Sequence, residues 1–142
     1  MDRRSFIRLS AIGGGAGLIA PSSVLAELPQ LPAAGDLYYT KDAPGRWSGK
    51  VQTHLPLIEK EKIDGGLGIR VITPHEMKGC EHYIVKHVLL DSRFKFLQEH
   101  LFDPQKDKSP ISSFELKGYA SGPLYALSMC NLHDVWLNML EV

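Results

Sequence analysis

Ser121-Gly-Pro-Leu-Tyr-Ala-Leu-Ser-Met-Cys130-Asn-Leu-His133-Asp-Val-Trp136 reads as a turn, a strand, a tight loop and the opening of a last strand. Working outward, the same pattern repeats. Ser113 to Tyr119 precedes it and Val135 to Val142 follows it, each as a further strand. Leu67, Ile69 and Val71 alternate with Gly68 and Arg70, as in a half-buried strand. Asp64-Gly65-Gly66 is a turn signal just before them. Val51 to Ile58 reads as a strand interrupted at Pro56, which suggests an edge or a bend. Tyr83 to Leu90 is apolar through most of its length, as expected between two packed layers. Phe94 and Phe96 flank Lys95 in another short strand, Gln98 to Phe102 suits a strand or one helical turn, and Asp103 to Pro110 is a polar loop. The pattern predicts an all-β chain: a two-sheet, immunoglobulin-like β-sandwich of about seven strands.

Cys130 and His133 stand three residues apart in one tight loop, where a thiolate and an imidazole can bind the same metal. His54 lies at the end or bend of the first strand, beside Pro56. His75 and His82 bracket a loop between two strands. Loops at one end of a sandwich cluster, so all five residues can meet there. One thiolate with four imidazoles suits a redox-active iron better than a structural zinc, which usually stops at four ligands. His87, inside a strand pattern, and His100 read as packed or surface residues.

The chain has 142 residues with 16 basic and 16 acidic side chains, so one globular domain is expected over residues 47–142. That balance leaves no basic stripe and argues against nucleic acid as a partner. Residues 1–26 read as a cleaved export signal. Arg3-Arg4 opens it, a glycine-rich apolar run from Leu9 to Ala20 follows, and Val24-Leu-Ala26 suits a signal peptidase. This predicts the twin-arginine translocase as a partner during export and the periplasm as the destination. The other reading is an uncleaved anchor, for which the apolar run is short. Cleavage would leave 13 basic and 15 acidic residues. Residues 27–46, with Pro29, Pro32 and Pro44, read as an extended arm whose Leu37-Tyr38-Tyr39 packs on the domain or on a second subunit of a homo-oligomer.

Leu124 to His133 followed by Trp136 resembles the iron-site signature of the superoxide reductases, the desulfoferrodoxin and neelaredoxin family. Thr53-His54-Leu55-Pro56 and the segment from Pro74-His75 to Glu81-His82-Tyr83-Ile84 resemble that family's other ligand segments, in the same order. The resemblance covers roughly residues 45–142. It implies mononuclear iron with equatorial His54, His75, His82 and His133, axial Cys130, and a sixth position open to superoxide. It also implies an external electron donor, since no second cysteine cluster is present. Three positions depart from the family pattern. Gln52 and Thr53 stand where the family usually has Glu-Lys, the His75–His82 loop is one residue longer, and Asp134 replaces a common glycine. Glu76 and Lys78, in the lengthened loop, are candidates to replace the missing Glu-Lys pair.

Other classes compete with a superoxide reductase. The same iron site could serve an electron-transfer or sensing module with little turnover. A blue-copper protein would use Cys130, His133, Met139 and one earlier histidine, leaving two histidines over. A purely structural sandwich exported for partner binding would need none of the set. A Cys80–Cys130 disulfide is the competing reading of the two cysteines, and it leaves the histidines unexplained.

Overall fold

The computed structural model describes Leu31 and residues 35–142, so the export-signal reading of residues 1–26 falls outside the described residues. Seven strands follow a short 3-10 segment (Gly45–Lys50) and a helical turn, α1 (Val51–His54). They are β1 (Leu57–Ile63), β2 (Gly66–Ile72), β3 (Ile84–Leu90), β4 (Phe96–Leu101), β5 (Ile111–Leu116), β6 (Pro123–Cys130) and β7 (Asp134–Glu141). They form two antiparallel sheets, ordered β1-β2-β5 and β4-β3-β6-β7. The chain changes sheet after β2, β4 and β5, the crossover pattern of an immunoglobulin-like sandwich.

Alternation along the strands builds the core. Ile69, Val71, Phe114 and Leu116 from one sheet meet Leu89, Leu124 and Ala126 from the other. A second cluster, Ile84, Phe102 and Cys130 with Met77 packed against it, lies toward the end from which β3 departs and at which β6 finishes. β2 and β6 finish at that end, and β1, β3 and β7 begin there. The β2–β3 crossover and the β6–β7 turn therefore share one pole of the sandwich with the approach to β1.

Two local expectations need correction, and a third is narrowed. Val51 to Ile58 is not one strand. Residues 51–54 close a helical turn through the Leu55 amide to the Val51 carbonyl, 3.0 Å, and β1 starts only at Leu57. Pro56 explains the break: it forces Leu55 to extended geometry, ψ 124°, which stops the helix. Phe94 belongs to no strand. It sits at φ 61° in a turn where the Asp91 carboxylate accepts the Arg93 and Lys95 amides, and β4 runs from Phe96 through the Gln98 region. The described part of the arm packs on the domain, one of the two placements expected of it. Tyr39 is fully buried, its amide donates to Val135 O and its carbonyl accepts from Leu137 N–H on β7, while Leu37 is exposed.

Candidate metal centre

Each predicted ligand is delivered by a different local device. His54 ends α1, where its Nδ1 lies 3.1 Å from the Lys50 carbonyl and 2.8 Å from Thr53 Oγ1, so Nε2 faces inward. His75 leaves β2 with its amide donating to the Thr73 carbonyl, 2.7 Å. His82 closes the crossover loop through a bridge to Lys78, whose amide donates to the His82 carbonyl, 2.8 Å. Cys130 and His133 flank the β6–β7 turn, in which Cys130 pairs with Asp134. Asp134 adopts φ 62°, the left-handed geometry such a three-residue turn requires and one that aspartate tolerates. Asn131 staples the two ligand loops. Its side chain accepts the Tyr83 amide at 2.9 Å and donates to the Glu81 carbonyl at 3.0 Å.

Five donor atoms converge. His54 Nε2 and His82 Nε2 each lie 3.1 Å from His133 Nδ1, and His75 Nε2 lies 2.9 Å from His82 Nε2. Cys130 Sγ is 3.5 Å from His133 Nδ1 and 3.8 Å from His75 Nε2. Metal–imidazole bonds of about 2.1 Å at right angles put neighbouring nitrogens about 3.0 Å apart. The run of nitrogens from His54 through His133 and His82 to His75 has that spacing, and the sulfur lies near His133 and His75. His54, His82, Cys130 and His133 present donors all within 4.8 Å of one another, and His75 joins through His82 and the thiol.

Electrostatics favour a cation in the middle. Burial first, then the neighbouring histidines, pushes His54 and His75 down to about 4. His82 and His133 are also lowered, chiefly by burial. The rings are thus neutral at pH 7, with nitrogens facing one another. His75 Nδ1, on the far side of its ring, is buried without a hydrogen-bond partner of good geometry, although the nearby Glu76 backbone favours the charged ring a little. Burial raises the Cys130 thiol, opposed by the Leu132 and His133 backbone, so a metal would have to displace its proton.

The rim is charged. Glu76 and Lys78 face one another at 3.0 Å and are 76% and 60% exposed, so each largely cancels the other. Gln52 and Thr53 are exposed, and the Thr53 hydroxyl turns onto Lys50 O and His54 Nδ1. Lys50 was not singled out in the sequence. Its charge reaches His82, His133 and Cys130, disfavouring protonation of all three, and it makes no ion pair among the described residues. The signal was its place four residues before His54, which matters only on a helical turn. Asp134 was likewise read only as a turn residue. Its carboxylate accepts from Arg46 and from Trp47 Nε1 (2.8 Å), and the Trp47 ring stands edge-on to His133 at 4.7 Å.

The rival readings find no geometry. Cys80 is exposed and Cys130 buried, and both are free. Met139 pairs with Tyr125 well along β7, five residues beyond Asp134 and about 16 Å away along an extended chain. His100 is exposed, while His87 is fully buried away from the ligand set, held by Thr73 and Ser112.

Comparison with known proteins identifies the family. The desulfoferrodoxin family profile matches residues 46–139. The chain is 31% identical to a superoxide reductase of Pyrococcus abyssi over 69% of its own length and 92% of the relative. It is 30% identical to the superoxide reductase of Pyrococcus furiosus over 66% of its length and 90% of that protein. Among solved structures, the superoxide reductase (neelaredoxin) of Ignicoccus hospitalis superposes with a TM-score of 0.62 at 32% identity, covering 78% of this chain and 98% of that one. With a family profile that spans most of the chain and relatives covered nearly end to end, the chain belongs to the desulfoferrodoxin family.

Proposed function

We propose that this chain is an exported superoxide reductase in which His54, His75, His82, His133 and Cys130 hold one iron ion. Three neutral imidazole nitrogens and one sulfur within 4.8 Å of one another, with His75 Nε2 joined to them 2.9 Å from His82, carry the reading. When bound, iron supplies a one-electron couple tuned by the thiolate and an open coordination position. The net reaction adds one electron and two protons to superoxide, giving hydrogen peroxide, and an external donor restores the electron.

The chain's own groups prepare this chemistry. Cys130, in its apolar cluster with Ile84 and Phe102, keeps water from the sulfur side. Lys50 draws a small anion toward the mouth, and Lys78 assists, its own field reduced by Glu76. Glu76, held low by Lys78, is a carboxylate at pH 7 and can take up the role of the family's missing glutamate. The exposed Gln52 and Thr53 leave no charge beside His54, which keeps an electron-transfer role as the second reading.

Metal analysis and visible spectra of the mature chain test the site. We expect about one iron per chain and a thiolate-to-ferric absorption band that Cys130→Ser abolishes. Zinc, copper or no metal overturns the reading. Superoxide decay kinetics then separate enzyme from carrier, since a carrier leaves the decay unaccelerated. Export is tested by Arg3→Lys with Arg4→Lys, which should retain the chain in the cytoplasm. Light scattering tests the expected homo-oligomer.

A further inference from the structure

Between the two sheets, beside the second cluster of the core, lies a closed polar group. Thr73 is 1% exposed, and Ser112, Ser128 and His87 are 3%, 0% and 0% exposed. Thr73 Oγ1 lies 2.7 Å from Ser128 Oγ and 2.8 Å from His87 Nε2, and His87 Nδ1 lies 2.7 Å from Ser112 Oγ. Neutral imidazole donates through one nitrogen and accepts through the other, so one run of protons satisfies every contact. Burial holds His87 neutral, pushing it down to about 3.

Stability alone does not call for these groups. Replacing both partners of a buried hydrogen bond by apolar groups of the same shape can be nearly neutral. What hydroxyl pairs add over apolar contact is a fixed distance and direction. Their placement shows where that matters. Thr73 follows β2 in one sheet and stands two residues before His75. Ser128 is on β6 in the other sheet, two residues before Cys130. Thr73 is also anchored through its backbone, its amide donating to Pro110 O (3.1 Å) and its carbonyl accepting from the His75 amide (2.7 Å). His54 has the Lys50 carbonyl to orient its ring, whereas the outer nitrogen of His75 has only the Glu76 backbone nearby and no well-formed hydrogen bond to it. Ligating histidines are usually aimed by a bond to that outer nitrogen. The backbone of His75 therefore carries more of its aim than that of His54 does.

We infer that the Thr73–Ser128 hydroxyl pair, backed by His87, is a positioning device that sets His75 against Cys130 from inside the sandwich. The inference rests on the iron-site reading above. Thr73 and Ser128 touch neither metal nor substrate; they act through the two ligands that follow them.

The test compares Thr73→Val, Ser128→Ala, Thr73→Ser and Ser112→Ala in the iron-loaded chain. The readouts are the energy of the thiolate-to-ferric band and the rate of iron loss to a chelator, with circular dichroism and Tm as measures of fold. Thr73→Val and Ser128→Ala should shift the band and speed iron loss about tenfold, the lower end of effects from groups that support ligands. Thr73→Ser should restore both. Ser112→Ala breaks a bond to the same histidine at its remote side, and should lower Tm while leaving the band in place. The inference is overturned if the wild type shows the band and both Thr73→Val and Ser128→Ala keep its energy and iron loss. It is equally overturned if Ser112→Ala moves the band as far as they do. A wild-type chain with no such band fails the site reading itself, and this inference with it. Should Thr73→Val not fold, Ser128→Ala against Ser112→Ala decides alone.

Discussion

The fully buried His87 and the cluster of buried and half-buried His54, His75, His82 and His133 are both kept neutral chiefly by desolvation, but their nitrogens keep opposite company. His87 meets the hydroxyls of Thr73 and Ser112, so each nitrogen has a partner of the complementary kind. The inner nitrogens of His54, His75, His82 and His133 meet one another and a thiol. A proton on one inner nitrogen can serve only one such contact, whereas a cation among them can engage every inner lone pair at once. A satisfied histidine and a waiting ligand are thus told apart by what surrounds the ring, and burial alone does not distinguish them.

Metal addition gives the largest expected difference between the two groups. Ferrous iron should stabilise the anaerobic metal-free chain by about 4 kcal/mol at a thousandfold excess over Kd. His82→Ala should lose most of that gain, and His87→Gln should keep it. Equal losses in the two variants, read from urea midpoints with and without iron, would erase the distinction.

Acid comes next. His54 and His75 near 4, and His87 near 3, lie below the ordinary 6.5. A histidine lowered on folding contributes stability that is complete above its unfolded value and is lost as pH falls toward the folded one. The metal-free chain should therefore weaken from pH 6.5 down toward 4, by up to about 1.4 kcal/mol per pH unit for each group fully involved. His87→Gln should flatten that slope by one group's share, and an unchanged slope would show that His87 does not titrate on unfolding. Because the imidazoles are already neutral at pH 7, iron binding should release about one proton, from Cys130. Calorimetry in buffers of different ionisation enthalpy counts it, and a release of three or more would contradict neutral rings.

The rim supplies smaller effects. Lys50→Ala should slow superoxide capture about threefold to tenfold and flatten its dependence on ionic strength, while Lys78→Ala, already offset by Glu76, should do less. The reverse order would return the steering role to the lengthened loop. Asp134→Asn should cost no more than about 1 kcal/mol, since its pairing with Arg46 is half exposed. The change would be read as a small fall in Tm.

Much of this was legible from local pattern. Alternation in Leu67–Val71, the apolar run to Leu90 and the turn residues before Leu124 mark strands because each strand has one face to bury. The turn carrying Cys130 and His133 was legible because ligand and loop are contiguous. Val51–His54 was not, since a single helical turn before Pro56 leaves no periodicity to detect. That one misreading also hid Lys50, whose relation to His54 exists only on a helix.

By itself the sequence determined the strand content and the turns and named five candidate donors, because those follow from side-chain chemistry and from neighbours a few residues apart. Only the tertiary structure decided which histidines face one another, that Tyr39 folds back onto β7, that the charge of Lys50 reaches His82 and His133, and that Thr73 meets Ser128 across the two sheets. Those contacts join residues far apart in the chain, so they exist only once packing and register have brought opposite sheets and one pole of the sandwich together.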